Sequence, residues 1–306
     1  MRIGSRRFAA GSLAALSVVA LLAKAQPASA LGLPKFGKAK AEAKQGGGSL
    51  DEALKEIDQA IDENRLLDAQ QYVDAIFLRG VQDKRLLLRA GELNLAKRRY
   101  PEAVQNFNDA ATVPSERPRA LQGKGVALAE MGRSNDSVEA LKAAVAADPS
   151  LWRAWNALAV QADRRHDWPE AEADYEQALK APGVKPIVMN NRGYSRLLQG
   201  RYADASSDFV RALEINPGLS EARTNLRLSL AMQGRYEQAT QMSGVEDRGT
   251  VLNNAGFAAV LRGDYPAAEK LFQQAVDARG NAYGRALENL KMVKALSSGG
   301  PPAKLQ

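Results

Sequence analysis

The chain has 306 residues, of which 45% are hydrophobic and 25% charged, a composition typical of folded globular proteins. It contains no cysteine, which excludes disulfides, thiolate chemistry, cysteine-based zinc clusters and a lipoprotein anchor built on that residue. Residues 1–30 carry four of the 42 basic side chains and no acidic one, leaving 38 basic against 35 acidic groups. This near balance, with charges alternating along the predicted helices, argues against a nucleic-acid partner.

Residues 1–30 have the pattern of a secretory signal peptide. Arg2, Arg6 and Arg7 precede an apolar run over residues 8–23, and residues 28–30 read Ala-Ser-Ala, the small-residue pattern of a cleavage site. The run of about 16 residues is short for a bilayer-spanning helix. We therefore expect cleavage after residue 30 and export to the periplasm, with no integral membrane segment in the mature protein. Retention of residues 1–30 as a membrane anchor is the alternative.

Residues 31–49 form a Lys-rich segment that closes in three glycines and a serine. We interpret this segment as a flexible linker. Its lysines could also touch an anionic membrane surface, although a solvated tail is the simpler interpretation. Ser49 followed by Glu52 has the spacing of a capping box, which predicts that the first helix begins at Leu50.

A helix-turn-helix pattern recurs from Leu50 onward at a spacing of 34 residues. Five of seven units have a small residue at the eighth position, and all seven have one at the twentieth, where two helices would cross closely. A bulky side chain follows at the twenty-fourth position and would fill the gap between neighbouring helices. The units begin at Leu50, Lys84, Pro118, Trp152, Pro186, Ser220 and Gly249.

The end of the repeated region departs from this pattern. The sixth unit is 29 residues long, and it has Ser243 and Gly244 where the bulky side chain is expected. We therefore expect a shortened helix there. A last helix over residues 281–296 would cap the stack, since terminal units need a covered apolar face. Residues 297–306 are polar and rich in Pro and Gly, which predicts a disordered tail.

The repeated pattern resembles the tetratricopeptide repeat (TPR) from Leu50 to about Gly280. This resemblance implies an all-α fold. We predict a right-handed superhelical α-solenoid of about seven helix-turn-helix units over residues 50–296, including the C-terminal capping helix.

The sequence offers few residues for catalysis. His166 is the only histidine, and it lies in a predicted turn where other units have glycine, so we expect it to face solvent. Paired acids lie on helix surfaces, where ion pairs with Lys and Arg explain them. No glycine motif has the spacing of a phosphate-binding loop. We therefore predict no catalytic residue, no metal site, no cofactor and no enzymatic activity.

Stacked units are expected to form a groove lined by the first helix of each unit. Amide groups on that face could bond an extended peptide backbone and aromatic rings could hold its side chains, so the predicted ligand is a protein segment. Tyr194 and Phe257 could instead cover the groove floor. Three further asparagines are interpreted as making structural hydrogen bonds between helices: Asn191, Asn225 and Asn254. The predicted peptide-binding residues are Arg153, Asn156, Asp163, Asn190, Tyr194, Asn253 and Phe257.

The order of the regular units, including VMNNRGYSRLLQGRYADA and VLNNAGFAAVLRGDYPAAEKLF, is similar to the TPR family of the Flp (tight adherence) pilus assembly system, the TadD family. The similarity spans roughly residues 121–296. It implies a non-catalytic periplasmic scaffold for a Flp-type pilus or related secretion machine, with a secretin or other pilus assembly components as partners. Family members are commonly outer-membrane lipoproteins, whereas this chain lacks the anchor cysteine. A general periplasmic adaptor for envelope biogenesis or polysaccharide export is the alternative.

Overall fold

The computed structural model describes residues 49–183, 185–242, 247–279 and 284–298. Within these ranges the regular secondary structure consists of fifteen α-helices, without a strand. The predicted signal peptide, most of the predicted linker and residues 299–306 lie outside the described residues. The helices are α1 (Leu50–Asp62), α2 (Leu66–Leu78), α3 (Lys84–Ala96), α4 (Tyr100–Ala110), α5 (Arg117–Glu130), α6 (Ser134–Ala147), α7 (Trp152–Arg164), α8 (Trp168–Lys180), α9 (Pro186–Leu198), α10 (Tyr202–Ile215), α11 (Ser220–Met232), α12 (Tyr236–Gln241), α13 (Arg248–Leu261), α14 (Tyr265–Arg279) and α15 (Gly284–Ser297).

The helix boundaries follow the predicted repeat. The first helix of every unit begins within one residue of the start that the sequence predicts, and the predicted capping box at Ser49 is confirmed. Its Oγ accepts a hydrogen bond from the backbone N–H of Glu52 at 3.3 Å, while its own N–H donates to the Glu52 carboxylate at 3.0 Å. Helix α15 corresponds to the predicted capping helix and runs from Gly284 to Ser297.

A three-residue turn joins the two helices of each repeat, and its middle residue has a positive φ. The backbone N–H after that residue bonds the carbonyl five residues earlier, as from Arg99 to Asn94 at 2.8 Å and from Arg133 to Leu128 at 2.9 Å. This arrangement is the Schellman motif, in which a left-handed residue ends the helix. The seven middle residues are Asn64, Arg98, Gly132, His166, Gly200, Gly234 and Gly263.

Small residues of the first helix accommodate the bulky side chain of the second. Phe107 is fully buried, and a Cβ on Gly91 would lie only 2.7 Å from its ring. Gly256 faces Phe272 in the same way, also at 2.7 Å. The predicted close crossing is therefore confirmed at these pairs. The small residues of the twentieth position are also buried: Ala69, Ala103, Ser137, Ala171, Ala205, Ala239 and Ala268.

The sixth repeat has the shortened second helix that its sequence predicts. Helix α12 contains only six residues, and residues 243–246 lie outside the described ranges. Arg227 occupies the eighth position, where most repeats have a small residue, and it is buried. Its Nη2 donates to the carbonyl oxygen of Met242, one residue beyond α12, at 2.9 Å. A long side chain thus binds the end of the helix that is too short to carry a bulky residue.

The chain divides into two compact units, and the division lies inside helix α9 between Ser195 and Arg196. The first unit contains α1 to α8 with most of α9. The second contains the end of α9 and helices α10 to α15, in which α15 packs against α14 and α13. Among the described residues, no helix is both long enough and apolar enough to cross a membrane.

Candidate peptide-binding site

Five predicted site residues lie in the first compact unit, on helices α7 and α9. Arg153, Asn156 and Asp163 are spaced by three and seven residues along α7, which places them on one helical face. Asn190 and Tyr194 lie one turn apart on α9. These five residues therefore lie on two helices that are joined by a hydrogen bond between Asn156 and Asn191.

A row of amides joins α7 to α9. Asn191 donates from Nδ2 to Oδ1 of Asn156 at 3.1 Å, and Asn190 donates to Oδ1 of Asn191 at 3.4 Å. Asn191 thus makes the interhelical hydrogen bond that was predicted for it. Asn190 is buried, whereas Asn156 is half-buried and its Nδ2 has no partner among the described residues. Asn156 can therefore donate to a ligand carbonyl.

Asp163 is held by two hydroxyl groups. Ser195 donates to one carboxylate oxygen at 2.6 Å and Tyr175 donates to the other at 2.8 Å. Burial raises the pKa of Asp163, and these two hydrogen bonds oppose the rise because they stabilise the ionised form. Since both oxygens already accept hydrogen bonds inside the fold, Asp163 serves to fix α9 on α7.

Tyr194 stands beside this carboxylate with a half-buried ring. Burial raises the pKa of its hydroxyl, and the negative charge of Asp163 raises it further. The phenol therefore stays protonated at neutral pH and can donate a hydrogen bond. Its oxygen has no partner within the described part of the chain.

Arg153 is exposed, and its guanidinium lies 5.0 Å from the ring centroid of Trp152. The equivalent arginine of the preceding repeat, Arg119, forms a two-pronged pair with Glu92 at 2.7 and 2.8 Å. One repeat further along the chain, the residue in the place of Glu92 is Val126. Arg153 accordingly forms no ion pair with any described residue, which leaves its cation available to a ligand.

An ion network fills the same face in the first three repeats, and sequence reasoning missed it. Arg89 binds Asp58 at 2.8 Å and Glu116 at 2.9 Å, while Arg119 joins Glu92 to Asp58. Burial raises the pKa of Glu92, and the charge of Arg119 counteracts this effect. The available signal was the pair of acids at the ninth position, Asp58 and Glu92, with Arg119 at the second position of the third unit, whereas Arg89 lies at the sixth position. These groups satisfy one another and leave little for a ligand.

Gln122 was also missed, although it occupies the same repeat position as Asn156 and Asn190. Its Oε1 is buried and has no hydrogen-bond donor among the described residues. A buried acceptor without a donor costs free energy, about 1–3 kcal/mol in typical proteins. The fifth-position series Gln122, Asn156, Asn190 could have been found by aligning the repeats and following each polar column.

The two predicted site residues of the second compact unit are buried. Asn253 is 4% exposed, and its Oδ1 accepts a hydrogen bond from Asn289 of the capping helix at 3.0 Å. Phe257 is 8% exposed. Asn254, for which a structural hydrogen bond was predicted, is exposed instead, and that assignment was wrong because Asn253 makes the bond. The capping helix covers the amide that corresponds to Asn156.

His166 lies in an exposed turn, as expected, and its ring packs edge-on against Trp168 with centroids 5.1 Å apart. Its φ of 59° is the left-handed conformation that most other repeats assign to glycine. Within the described ranges, no cluster of three His, Asp or Glu side chains could hold a metal ion.

Two overlapping segments, residues 123–181 and 161–220, match the family model of the tetratricopeptide repeat. Residues 123–220 therefore contain tetratricopeptide repeats. The matched region begins one residue after Gln122 and includes all of α7, α8, α9 and α10. The candidate site therefore lies almost entirely within the TPR match. The sequence has no significant match among curated proteins.

Solved structures of low sequence identity share the TPR fold. A chain of the APC/C Cut9–Hcn1 hetero-tetramer is 14% identical with a TM-score of 0.60, and the match covers 80% of this chain and 49% of that one. The C-terminal part of a TPR protein from Cytophaga hutchinsonii is 16% identical with a TM-score of 0.56, over 78% of this chain and 100% of that one. At such identities the likeness concerns the fold alone.

The TPR face formed by α7 and α9 combines two donors and a cation. Asn156 offers its Nδ2, Tyr194 its hydroxyl and Arg153 its guanidinium. The carbonyl groups of an extended peptide suit the two donors, and a carboxylate suits the cation.

Proposed function

We propose that this chain is a non-catalytic TPR scaffold that binds an extended protein segment along α7 and α9. The observation that carries the proposal is the pair of hydrogen-bonding groups without partners at Asn156 and Tyr194, together with the guanidinium of Arg153, which forms no ion pair with a described residue. Neighbouring polar groups on the same face, such as Asp163, are already satisfied. Partnerless groups gathered on one face favour a ligand that supplies their hydrogen bonds.

The bound segment carries a carboxylate opposite Arg153. This assignment rests on the repeat register, in which Glu92 neutralises Arg119 but Val126 replaces the acid that would neutralise Arg153. The Trp152 ring supports the guanidinium from one side without neutralising it. An Asp or Glu side chain of the ligand would take the place that Glu92 fills one repeat earlier.

The decisive variant is Val126→Glu, which places a carboxylate beside Arg153 in the register that Glu92 has beside Arg119. An immobilised library of extended peptides, with and without Asp and Glu, provides the ligands. We expect peptides with acidic side chains to bind the parent, and Val126→Glu and Arg153→Ala each to weaken that binding about tenfold or more, because a charged hydrogen bond contributes roughly 1.5–3 kcal/mol.

Arg164→Ala is the matched control, since Arg164 is an exposed arginine on the same helix without an ion pair among the described residues. It should leave binding unchanged. Equal binding of neutral and acidic peptides would contradict the proposed carboxylate of the ligand. If a triple variant with Arg153→Ala, Asn156→Ala and Tyr194→Phe binds peptides as the parent does, this face is not the binding site.

The same proposal extends to the cell. The signal-peptide pattern of residues 1–30 and the resemblance to the Flp pilus assembly family support a periplasmic scaffold for a Flp-type pilus or related secretion machine. A secretin or another pilus assembly component would then supply the bound segment. Deleting the gene should abolish surface pili and leave general envelope integrity intact. Normal pili with altered polysaccharide export would favour the alternative, a general adaptor for envelope biogenesis.

A further inference from the structure

Helix α2 exposes a concentration of large apolar side chains. Seven large hydrophobic side chains are exposed in the described ranges, and four of them lie on this helix: Leu67, Tyr72, Phe77 and Leu78. Leu67 is 78% exposed and Leu78 is 88% exposed. Single exposed leucines need no explanation, but Leu67 and Leu78 are almost fully exposed on the same side of one helix, which indicates a contact surface.

The position of α2 makes this surface unusual. It is the second helix of the first repeat, and its inner face packs on α1 and α3 through Ala69, Val73 and Ile76. The opposite face is uncovered by any described helix. Terminal repeats of an array normally present a polar outer face to remain soluble. Two almost fully exposed leucines near the ends of this outer face, Leu67 and Leu78, therefore favour a partner that covers them.

The sequence of the outer face is self-complementary when it is read in the opposite direction. Leu67, Gln71, Asp74 and Leu78 are spaced by four, three and four residues, so they form one stripe along α2. A second α2 running antiparallel places Leu67 opposite Leu78 at both ends and Gln71 opposite Asp74 in the middle. The amide of Gln71 can donate to the Oδ2 of Asp74, because Gln70 occupies only its Oδ1.

The charges beside the stripe fit the same arrangement. Asp68 and Arg79 lie on the same side of the stripe. In a two-fold antiparallel pair of helices, that side of one helix lies next to the same side of the other. Asp68 therefore lies close to Arg79 of the second copy, and the contact occurs twice. Arg79 is exposed and forms no ion pair with the described residues, while Arg65 uses only the Oδ2 of Asp68.

We propose that the outer face of α2 is a homodimer interface, in which two copies of this chain pack antiparallel about a two-fold axis. The occupant is a second copy because the stripe and its flanking charges complement themselves. A single pair of 13-residue helices buries less than the roughly 1,600 Å² of a standard stable interface. The dimer is consequently weak, with a dissociation constant in the micromolar range.

Sedimentation equilibrium over a dilution series tests this proposal with the purified chain. The parent should show a reversible monomer–dimer equilibrium. Leu67→Glu and Leu78→Lys each place a charge against an apolar side chain, and each should raise the dissociation constant about tenfold or more. The double variant Leu67→Glu/Leu78→Lys should dimerise again, because the new carboxylate of one copy then faces the new ammonium of the other.

Val210→Glu is the control, since Val210 is an exposed apolar residue on α10, and this change should leave the equilibrium as in the parent. Circular dichroism of each variant checks that its helix content is unchanged. A parent that stays monomeric at every concentration would overturn the proposal, as would protection of Leu67 and Leu78 by another segment of the same chain. A dimer that survives both single changes, or that the double change does not restore, would equally overturn it.

Discussion

At the scale of single residues, three turns of this chain hold a left-handed conformation without glycine. Asn64, Arg98 and His166 have φ values of 55°, 59° and 59° at the position where the other four repeats have glycine. Asparagine tolerates this conformation because its short side chain bonds locally, whereas arginine has no such compensation. Histidine is also enriched in this conformation, so the strain is greatest at Arg98.

We predict that Arg98→Gly stabilises the fold. A residue with a side chain loses about 1–2 kcal/mol of stability in the left-handed conformation, and glycine avoids this loss. Glycine is also more flexible in the unfolded chain, which lowers stability by about 0.4–1 kcal/mol. The expected net gain is about 0.5–1 kcal/mol in the free energy of unfolding, measured by urea denaturation.

The control for this change is Gly132→Ala, at the same turn position of the next repeat. A Cβ there would meet no other atom within 4 Å, so backbone strain alone should act. This variant should lose about 1 kcal/mol. The two substitutions should change the free energy of unfolding in opposite directions. A loss of stability in Arg98→Gly would contradict the assigned turn geometry.

A second residue-scale effect concerns the half-buried carboxyl of Asp174 on α8. Burial raises the pKa of Asp174 to about 6, and the Glu170 carboxylate adds to the rise, while Lys142 and Arg165 oppose it. Because the folded-state pKa lies above the value of about 4 in the unfolded chain, the unfolded state ionises first. The contribution of Asp174 to the free energy of unfolding is therefore most favourable below about pH 4, and it becomes less favourable as the pH rises to about 6.

We accordingly predict that Asp174→Asn stabilises the fold at neutral pH. The gain should be roughly 1–3 kcal/mol near pH 7.5 and should vanish near pH 3, where the parent's carboxyl is protonated in both states. Urea denaturation at both pH values measures the difference. An equal effect at the two pH values would show that packing of the amide, and not ionisation, causes the change.

At the scale of helices, the residue at the eighth position of each repeat is matched in size to the bulky residue of the second helix. Ile57 is paired by position with Val73, whereas Gly91 faces Phe107. The extreme case is Arg227, which stands in the repeat that lacks the bulky side chain and binds the end of α12. A smaller residue at the eighth position thus accompanies a larger side chain in the second helix at these pairs, as close packing favours.

We predict that Gly256→Ala destabilises the chain by about 1–3 kcal/mol, because its Cβ would overlap the ring of Phe272. Adding Phe272→Val should recover part of this loss, since the smaller side chain makes room for the methyl group, as Val73 does for Ile57. On its own, Phe272→Val should be destabilising because it leaves a cavity. If the two losses of stability simply add in the double variant, the side chains at positions 256 and 272 are not in contact.

The sequence predicted the helices well because the repeat period fixes every helix at once. Gly256 and Phe272 were placed correctly for this reason. The period could not show which residues the capping helix contacts, because that helix is not a repeat, and so the bond between Asn253 and Asn289 was missed. The period places acids and arginines of the ion network on one face, but it does not show which of them pair, because an ion pair depends on which rotamers meet across neighbouring helices.

At the scale of the whole molecule, the proposed cellular role depends on export. We predict that the mature protein begins at Leu31 and is recovered from the periplasmic fraction. The reason is the arginine-rich start, the short apolar run and the Ala-Ser-Ala pattern of residues 28–30. N-terminal sequencing of the purified protein measures this directly. A membrane-bound product that still begins with Met1 would establish the anchored alternative.

The fixed length of the turns within repeats determines where foreign sequence can enter this protein. Every such turn has three residues, whereas the connections between repeats range from four to six. An extra residue inside a repeat would rotate the second helix away from its small partner residue, but one between repeats leaves the two helices of each repeat in register. Fluorescent tags, protease sites and grafted epitopes therefore belong at exposed positions of these connections, such as residues 114–115 and 149–150.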